Sequence, residues 1–420
     1  MNIYFSGIGG VGIGPLAEIA HDAGYSIIGS DLAESLITKK LRQNGVTISN
    51  SQDGSFLEKC HKKNPIDWFV YTAALTENHP ELVMAHSLGI KTAKRDELLS
   101  YIIKQKKLKL IAVAGTHGKT TTTGMLVWIF QQLNIPISYS VGTTLTFGPS
   151  GKFNPNSEYF IYECDEFDRN FLHFKPFLSL ITSVDYDHSD TYSTTTDYLK
   201  AFRQFAAGSN KAITWDDQHS ATFDNMVQVT KLNHLKIDPN IPVVGNHNRR
   251  NATLIQAALK ELEITNDINS ILGSFPGTDR RFEKLADNLY SDYGHHPVEI
   301  AATLQLAREL SDHVILVYQP HQNIRQYEIR NQYTNQFKLA EKIYWLPTYL
   351  SREDPNLPIL SPKELIQNIT NKKDITVSNF DDNLWNIIQG AREKNTLVLC
   401  MGAGDIDGWL RDKLCQQKSS

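Results

Sequence analysis

The sequence of 420 residues has only four cysteines, no long hydrophobic run and no low-complexity segment. The cysteines lack the CxxC spacing of a metal site and the density of a disulfide framework, which is typical of a reducing compartment. No apolar run approaches the roughly 18–20 residues that a helix needs to cross a bilayer. The chain runs directly into a strand-like segment without a basic-then-apolar signal, so we expect a cytoplasmic protein that does not bind membranes.

The charge of the chain does not favour nucleic acid as a partner. The net charge is −4, and the charged fraction of 21% is ordinary for a globular protein. The basic cluster at residues 104–109 is short and precedes a strand, so we interpret it as a solvated linker and expect no nucleic-acid partner. The length predicts two or three domains.

Residues 110–123, LIAVAGTHGKTTTT, predict a site for the phosphates of ATP or GTP. An apolar strand leads into a turn, where Gly115 and Gly118 would let successive amides face a polyphosphate at the positive end of the following helix. A valine replaces the first glycine of the usual P-loop pattern, and we expect Gly115 to take over the turn. Lys119 would reach the β- and γ-phosphates, and the Thr120 hydroxyl would be a ligand for Mg²⁺. The residues predicted to bind the nucleotide here are Gly115, Thr116, His117, Gly118, Lys119, Thr120 and Thr121.

The loop GIGGVG at residues 7–12 predicts a second site, for a diphosphate. It follows a short apolar strand, and Asp31 ends the next strand about twenty positions later, as in the fingerprint of dinucleotide-binding proteins. The fingerprint alone favours NAD or FAD, but a UDP-sugar satisfies the same geometry, and a turn without a ligand is also possible. The predicted residues are Gly7, Gly9, Gly10, Val11, Gly12, Asp31 and Thr72, the last of which begins the segment Thr72-Ala73-Ala74 after another strand.

Two apolar strands downstream of the P-loop end in acidic residues and a histidine. The carboxyl ends of parallel strands meet at one edge of a sheet, so these groups and a hydroxyl would suit one or two Mg²⁺ ions that bridge ATP phosphates. A solvated loop is the alternative. The residues are Glu163, Asp165, Glu166 and Asp168 after the first strand, and Asp185, Asp187, His188 and Asp190 after the second.

The rest of the chain also alternates between helix and strand, so the sequence predicts an α/β protein. Residues 216–245 show no clear pattern, and Asn248 could contact an adenine edge or merely begin a helix. Arg280 and Arg281 could bind phosphate as planar donors or lie on the surface. The predicted C-terminal helices are 298–310, 332–342, 362–370 and 382–393, and the strands are 313–319, 343–347, 374–378 and 396–401.

Together these motifs resemble the Mur ligase family, the ATP-dependent amide-forming enzymes of peptidoglycan synthesis. The resemblance covers nearly the whole chain, with GIGGVG, GSD, AGTHGKTTTT, YECDEFDRNFL, DHSDTY, GNHNRRN, RRFE, DYGHHP, YQPH and MGAGDI in the order of the family. It implies three domains: a Rossmann-like UDP-sugar-binding domain at residues 1–107, a central P-loop ATP-binding domain at 108–272, and a C-terminal Rossmann-like amino-acid-binding domain at 273–420.

The resemblance also implies roles for single residues. Lys119 and Thr120 match the positions that grip the phosphates and the first metal ion, and Glu163 and His188 match those that hold Mg²⁺. Asn248 matches the asparagine beside adenine, and Arg281 and Asp292 match the C-terminal residues that close over the nucleotide. His295 lies in the segment that the family places near the incoming amino acid. The implied catalytic set is Lys119, Glu163, His188 and Arg281, with ATP as substrate and Mg²⁺ as cofactor.

Within the family, THGKT, RDELL and QPH are most similar to the members that join L-alanine to the lactyl carboxylate of UDP-N-acetylmuramate through an acyl phosphate. Members that attach a recovered tripeptide share THGKT and HHP and are the nearest alternative; a non-catalytic UDP-sugar-binding relative is another. An NAD-dependent oxidoreductase would leave the P-loop unexplained. The expected partners are these small molecules, for a monomer or a homodimer.

Overall fold

The described residues form three mainly parallel β-sheets, of five, seven and six strands, with helices packed on them. The computed structural model describes residues 1–72, 75–188, 191–351 and 353–419, so Ala73, Ala74 and Asp190 lie outside the described residues. The chain divides into two compact units: unit 1 comprises residues 1–237 and 251–275, and unit 2 comprises 238–250 and 276–420. In the described part, no helix is long and apolar enough to cross a membrane.

The first sheet lies at the start of unit 1. Its strands are β1 (Asn2–Ser6), β2 (Ser26–Ser30), β3 (Thr47–Ser49), β4 (Trp68–Tyr71) and β5 (Lys91–Lys94). Its helices are α1 (Gly14–Asp22), α2 (Leu36–Gln43), α3 (Ser55–Lys63), α4 (Pro80–Ser87) and α5 (Arg95–Gln105). All pairs are parallel in the order β3-β2-β1-β4-β5. The strand order reverses at β1, so the loops after β1 and β4 open into one crevice.

The second sheet, also in unit 1, places the P-loop strand at its centre. Its strands are β6 (Lys109–Ala114), β7 (Ile137–Ser140), β8 (Gly151–Lys152), β9 (Tyr159–Glu163), β10 (Leu178–Ile181), β11 (Lys211–Asp216) and β12 (Val229–Asn233). Its helices are α6 (Lys119–Gln132), α7 (Thr195–Ala207), α8 (Asn246–Glu261) and α9 (Asn269–Gly273). The order is β12-β11-β10-β6-β9-β7-β8. Therefore β9 and β10 flank β6, as the sequence predicts for the two strands that end in acids.

The two sheets of unit 1 share a hydrophobic core. Buried residues of the first sheet, such as Phe5 and Val70, belong to the same cluster as Ala112 of β6 and Phe160 of β9. The sequence predicts a domain boundary at residues 107 and 108, between α5 and β6. Both sides of this boundary lie in one compact unit.

Unit 2 contains the third sheet. Its strands are β13 (Glu283–Ala286), β14 (Leu289–Asp292), β15 (Val314–Tyr318), β16 (Lys342–Trp345), β17 (Ile375–Val377) and β18 (Leu397–Met401). Its helices are α10 (Pro297–Leu310), α11 (Asn323–Ile329), α12 (Pro362–Ile366), α13 (Asp382–Glu393) and α14 (Ile406–Ser419). The order is β13-β14-β18-β15-β16-β17, in which only β13 and β14 pair antiparallel. The four C-terminal strands predicted from the sequence are confirmed to within two residues at each end.

The helix predicted at 332–342 is wrong. The helix of this region is α11, which ends at Ile329, and a short 3-10 helix (Arg330–Tyr333) and turns follow it. Tyr333, Phe337 and Ala340 are buried and have helical spacing, although most of this segment forms turns. The amides at the start of α11 donate to the carboxylate of Glu353. That cap lies about thirty residues further along the chain, so local sequence could not reveal it.

Candidate active site

The turn between β6 and α6 requires glycine at two positions. Gly115 has a φ of 133°, and a Cβ there would lie 2.3 Å from the Thr182 hydroxyl oxygen. Gly118 has a φ of 83° and immediately precedes α6. Gly115 therefore takes over the turning role, as predicted, because a side chain would meet the segment that follows β10.

Two amides of this turn do not face an open cradle in the structure. The Thr116 amide donates to the Ser183 carbonyl oxygen at 3.1 Å, and the His117 amide donates to the Ser183 hydroxyl at 3.0 Å. The expectation that they point at a phosphate is therefore not met in this conformation. The first helical bond of α6 is from the Thr122 amide to the Gly118 carbonyl oxygen. The amides of Lys119, Thr120 and Thr121 precede that bond, so they are the backbone donors that an anion could use.

Lys119 is enclosed by acceptors at the edge of the second sheet. Its ammonium donates to the Gly115 carbonyl oxygen at 2.6 Å and to the Glu166 carboxylate at 2.8 and 3.0 Å. Burial alone would lower the pKa of Lys119, but the charges of Glu166, Asp165 and Glu163 outweigh it and raise the pKa above its ordinary value. Lys119 is therefore a fixed cation at physiological pH.

Glu163 ends β9 directly beside the P-loop. Its carboxylate accepts from the Thr120 hydroxyl at 2.6 Å and from the Gly142 amide at 2.7 Å. A Cβ on Gly142 would lie 2.9 Å from this carboxylate, so a side chain there would force the carboxylate to shift. Two of the three predicted metal ligands, Thr120 and Glu163, are thus in direct contact.

His188, the third predicted metal ligand, lies in a different group of side chains. Its Nε2 is 3.7 Å from a Glu166 carboxylate oxygen. Possible ligand atoms of Asp165, Glu166 and His188 all lie within 4.8 Å of one another, and Glu163 is not part of this group among the described residues. His188 has a φ of 56°, a strained conformation for a non-glycine residue. The structure therefore pairs His188 with Glu166 and Asp165, which the sequence analysis named in the acidic run but did not select.

The glycine loop of the first sheet is bound to Asp31. The Gly9 amide donates to Asp31 at 2.8 Å, and the Ala33 amide donates to the other carboxylate oxygen at 3.0 Å. Gly7 follows β1 with a φ of 72°, and a Cβ there would lie 3.9 Å from the Thr72 methyl group. Gly10 and Val11 are exposed at the rim, while Gly12 is partly buried. Thr72 and Gly7 therefore lie side by side after β4 and β1, and Asp31 is held against the glycine loop.

The other predicted site residues, Asn248, Arg281, Asp292 and His295, lie in unit 2. The Asn248 side-chain amide donates to the Val244 carbonyl oxygen at 2.8 Å. The Arg281 guanidinium lies 5.2 Å from the centre of the Tyr293 ring. Buried Asp292 accepts from the amides of Phe282 and Gly294, and burial raises its pKa to about 6, although the Arg281 charge opposes the shift.

His295 forms a cluster with two residues that the sequence analysis did not assign. The Arg325 guanidinium contacts His295 Nε2 at 2.8 Å, and the rings of His295 and His321 are 5.0 Å apart. Burial lowers the pKa of His295 to about 3 and that of His321 to about 4, and the Arg325 charge contributes to both shifts. Both imidazoles are therefore neutral at pH 7. The only local signal for this cluster is the four-residue spacing between His321 and Arg325.

The fold and this site define an α/β nucleotide-binding protein with a P-loop and a separate glycine loop. The model of the Mur ligase family catalytic domain matches residues 2–107, and the Mur ligase middle domain matches residues 113–243. The chain belongs to the Mur ligase family.

Relatives and solved structures agree with this family. The chain is 31% identical to the UDP-N-acetylmuramate–L-alanine ligase of Porphyromonas gingivalis and 33% identical to that of Clostridium tetani, each over 96% of both chains. Its fold is similar to a UDP-N-acetylmuramate–alanine ligase of Thermotoga maritima, with a TM-score of 0.74, 23% identity and coverage of 100% of this chain and 99% of the other. A murein peptide ligase of Psychrobacter arcticus has a TM-score of 0.64 at 23% identity, covering 99% and 98%.

Proposed function

We propose that this protein is an ATP-dependent ligase that joins L-alanine to the lactyl carboxylate of UDP-N-acetylmuramate in peptidoglycan precursor synthesis. The observation that carries the proposal is the P-loop, in which Lys119 begins α6 and acidic groups follow both neighbouring strands. The identity of the substrates is supported by the relatives reported above, which align over nearly the whole chain.

The proposed reaction has two steps. The lactyl carboxylate attacks the γ-phosphorus of ATP, the bond to the bridging oxygen breaks, and ADP leaves an acyl phosphate behind. The amine of L-alanine then attacks the acyl carbon, loses its proton, and expels phosphate. Carboxylate and γ-phosphate are both anions, so fixed cations are needed to bring them together. Lys119 and Arg281 are the proposed protein cations.

In this proposal, the Lys119 ammonium exchanges part of its contact with Glu166 for phosphate oxygens. The hydroxyl of Thr120 and the amides of the first turn of α6 bind the same phosphates, together with the rest of the P-loop. We also assign the nucleotide-contacting roles to Asn248, Arg281 and Asp292. Asn248 offers a side-chain amide for the adenine edge, and Arg281 offers planar donors for phosphate.

The residues at the edge of the second sheet fit Mg²⁺, which prefers oxygen ligands. We propose that Thr120, Glu163 and His188 hold it. The contact between Thr120 and Glu163 supports one part of this set, and the group of Asp165, Glu166 and His188 offers a second place for a cation. Mg²⁺ bound there would neutralise phosphate charge.

For the amino acid, we propose the cluster around His295. A guanidinium binds a carboxylate through two parallel hydrogen bonds, so Arg325 is suited to the carboxylate of alanine. The neutral His295, held by its contact with Arg325, would border the same site.

For the UDP-sugar, we propose the crevice formed by the glycine loop, Asp31 and Thr72. We keep the domain bounds predicted from the sequence, at 107/108 and 272/273, as part of the proposal. A reaction that consumes ATP and a UDP-sugar needs the compartment that contains both, which supports the cytoplasm. We also propose that the protein is a monomer or a homodimer and that it does not bind nucleic acid.

The test is release of ADP from ATP in the presence of UDP-N-acetylmuramate and Mg²⁺. We expect L-alanine to give rapid release and the L-alanyl-γ-D-glutamyl-diaminopimelate tripeptide to give little. The controls are reactions without the amine and reactions without UDP-N-acetylmuramate. Faster release with the tripeptide would favour the alternative ligase, and no release with either amine would contradict the proposal.

A further inference from the structure

The first sheet contains a buried carboxylate that the proposed reaction does not use. Glu81, the second residue of α4, is completely buried. Its carboxylate accepts hydrogen bonds from the hydroxyls of Tyr4 at 2.5 Å, Ser6 at 2.6 Å and Ser30 at 2.8 Å. Among the described residues, no lysine or arginine forms an ion pair with it. A buried carboxylate is costly unless donors satisfy it, and here three hydroxyls do so. Its place in the first turn of α4 also favours a negative charge.

Two of these three donors are directly connected to the glycine loop. Ser6 immediately precedes Gly7, and the Ser30 carbonyl oxygen accepts from the amides of Gly7 at 2.8 Å and Ile8 at 3.0 Å. The residue after Ser30 is Asp31, which binds the Gly9 amide. Ser30 therefore contacts the Glu81 carboxylate through its hydroxyl and the first residues of the loop through its carbonyl oxygen.

Glu81 also belongs to the opposite wall of the crevice. It lies in α4, the helix that follows β4, and Thr72 at the end of β4 faces Gly7. Gln52 adds a donor to the same network, because its side-chain amide donates to the Ser30 hydroxyl at 3.2 Å. One carboxylate thus connects the ends of β1 and β2 to the helix after β4.

We propose that Glu81 is a positioning residue for the UDP-sugar, which holds the glycine loop against the rest of the crevice through Ser6 and Ser30. This inference rests on the proposed binding of the UDP-sugar in that crevice. Three hydroxyl donors converge on two oxygens that only accept, so an amide, which both accepts and donates, would disturb at least one of the bonds.

The test compares Glu81→Gln with Glu58→Gln, which removes the same charge from the exposed surface of α3, where Glu58 pairs with Lys62. Calorimetry measures the Kd of UDP-N-acetylmuramate and of ATP separately. We expect Glu81→Gln to raise the Kd of the UDP-sugar by about tenfold or more and to leave the Kd of ATP within about twofold. Glu58→Gln should change neither.

A smaller effect on the UDP-sugar, or an equal loss of ATP affinity, would overturn the inference. If the wild-type protein does not bind UDP-N-acetylmuramate, the proposed function fails instead, so the two failures are distinguishable.

A second pair of variants decides the matter if Glu81→Gln does not fold. Ser30→Ala removes the hydroxyl that connects Glu81 to the loop, and Tyr4→Phe removes a donor to the other carboxylate oxygen, away from the loop. We expect Ser30→Ala to raise the KM of the UDP-sugar several times more than Tyr4→Phe, with equal KM values for ATP. Equal effects of the two variants would mean that the network only stabilises the fold.

Discussion

Lys119 and Glu166 form an ion pair at the position where the proposed reaction needs a cation. Glu166 is completely buried, and burial raises its pKa, whereas Lys119 opposes that shift. Removing either partner would leave the other buried without its nearest opposite charge, which is more costly than losing an exposed pair. A phosphate that binds to Lys119 must therefore compensate for the weakened contact with Glu166.

We expect Lys119→Ala to abolish ligation. Loss of such a charge contact with the transition state costs on the order of 3–4 kcal/mol, or a factor of several hundred in rate. ADP release measures the rate, and circular dichroism checks the fold. Lys109→Ala is the matched control, because Lys109 begins β6, pairs with Glu158 on the surface, and should be dispensable for activity. Near-normal turnover in folded Lys119→Ala would contradict the P-loop assignment.

We expect substitutions of the metal ligands to change the Mg²⁺ requirement selectively. Imidazole is an unusual ligand for Mg²⁺, so His188→Ala should raise the Mg²⁺ concentration for half-maximal rate without a matching rise for the UDP-sugar. Glu163→Gln should be more severe, because it removes a negative charge beside Thr120.

Rate curves against Mg²⁺ for both variants, with Asp165→Asn as comparison, measure this effect. If Asp165→Asn and His188→Ala shift the curve and Glu163→Gln does not, the cation is held by the group of Asp165, Glu166 and His188 without Glu163.

The acid sensitivity of unit 2 should depend on His295. Burial lowers its pKa to about 3, below the unfolded value of about 6.5, so the unfolded state binds more protons as the pH falls below 6.5. The free energy of unfolding therefore falls by up to about 2 kcal/mol as the pH is lowered from 7 to 5.

His295→Gln should remove this loss, so its urea unfolding midpoint should change less than that of the wild type over this range. His313→Gln is the control, since His313 lies on the surface beside Glu341. Identical pH dependence of wild type and His295→Gln would show that another group is responsible.

At the scale of elements, the sequence was sufficient where the signal was local. YFIYE predicts β9 with the bounds that the structure gives, because an apolar run between polar residues is bounded by its own neighbours. The edge strands β12 and β13 were not predicted from the sequence, because their residues are partly or fully exposed and give no apolar run. Lys119 and Glu163 could be selected as candidates because each belongs to a local sequence motif. The contact of Arg325 with His295 and the pairing of His188 with Glu166 join residues far apart in the sequence, so they depend on tertiary packing.

The turn between β6 and α6 should not tolerate a side chain at Gly115. Gly115→Ala would place a methyl group against Thr182 and Ser183 in a strained backbone conformation, and we expect lower thermal stability and weaker ATP binding. Gly390→Ala is the control, because Gly390 lies inside α13 with open space around it. That variant should be neutral or more stable by up to about 1 kcal/mol. Unchanged ATP affinity in Gly115→Ala would mean that the turn adapts without loss.

At the scale of the whole molecule, we expect two independent nucleotide sites. UDP-N-acetylmuramate and a non-hydrolysable ATP analogue should each raise the melting temperature, and each should still do so when the other is saturating. NADH should have no effect, because the P-loop accounts for the adenine nucleotide and the glycine loop is assigned to UDP. Stabilisation by NADH without a response to the UDP-sugar would reassign the glycine loop.

Helix α8 has a consequence for how the chain is made. Its first residues belong to unit 2 and the rest to unit 1. Arg249 pairs with Glu309, and Gly245 packs against Leu306, about sixty residues further along the chain. A ribosome releases the chain from its N-terminus, so unit 1 has all its residues once position 275 has emerged. The segment 238–250 must then wait for partners that have not yet been synthesised. A chain truncated after residue 275 would therefore contain this segment without its packing partners in unit 2. A fragment that starts at residue 276 would lack the segment altogether.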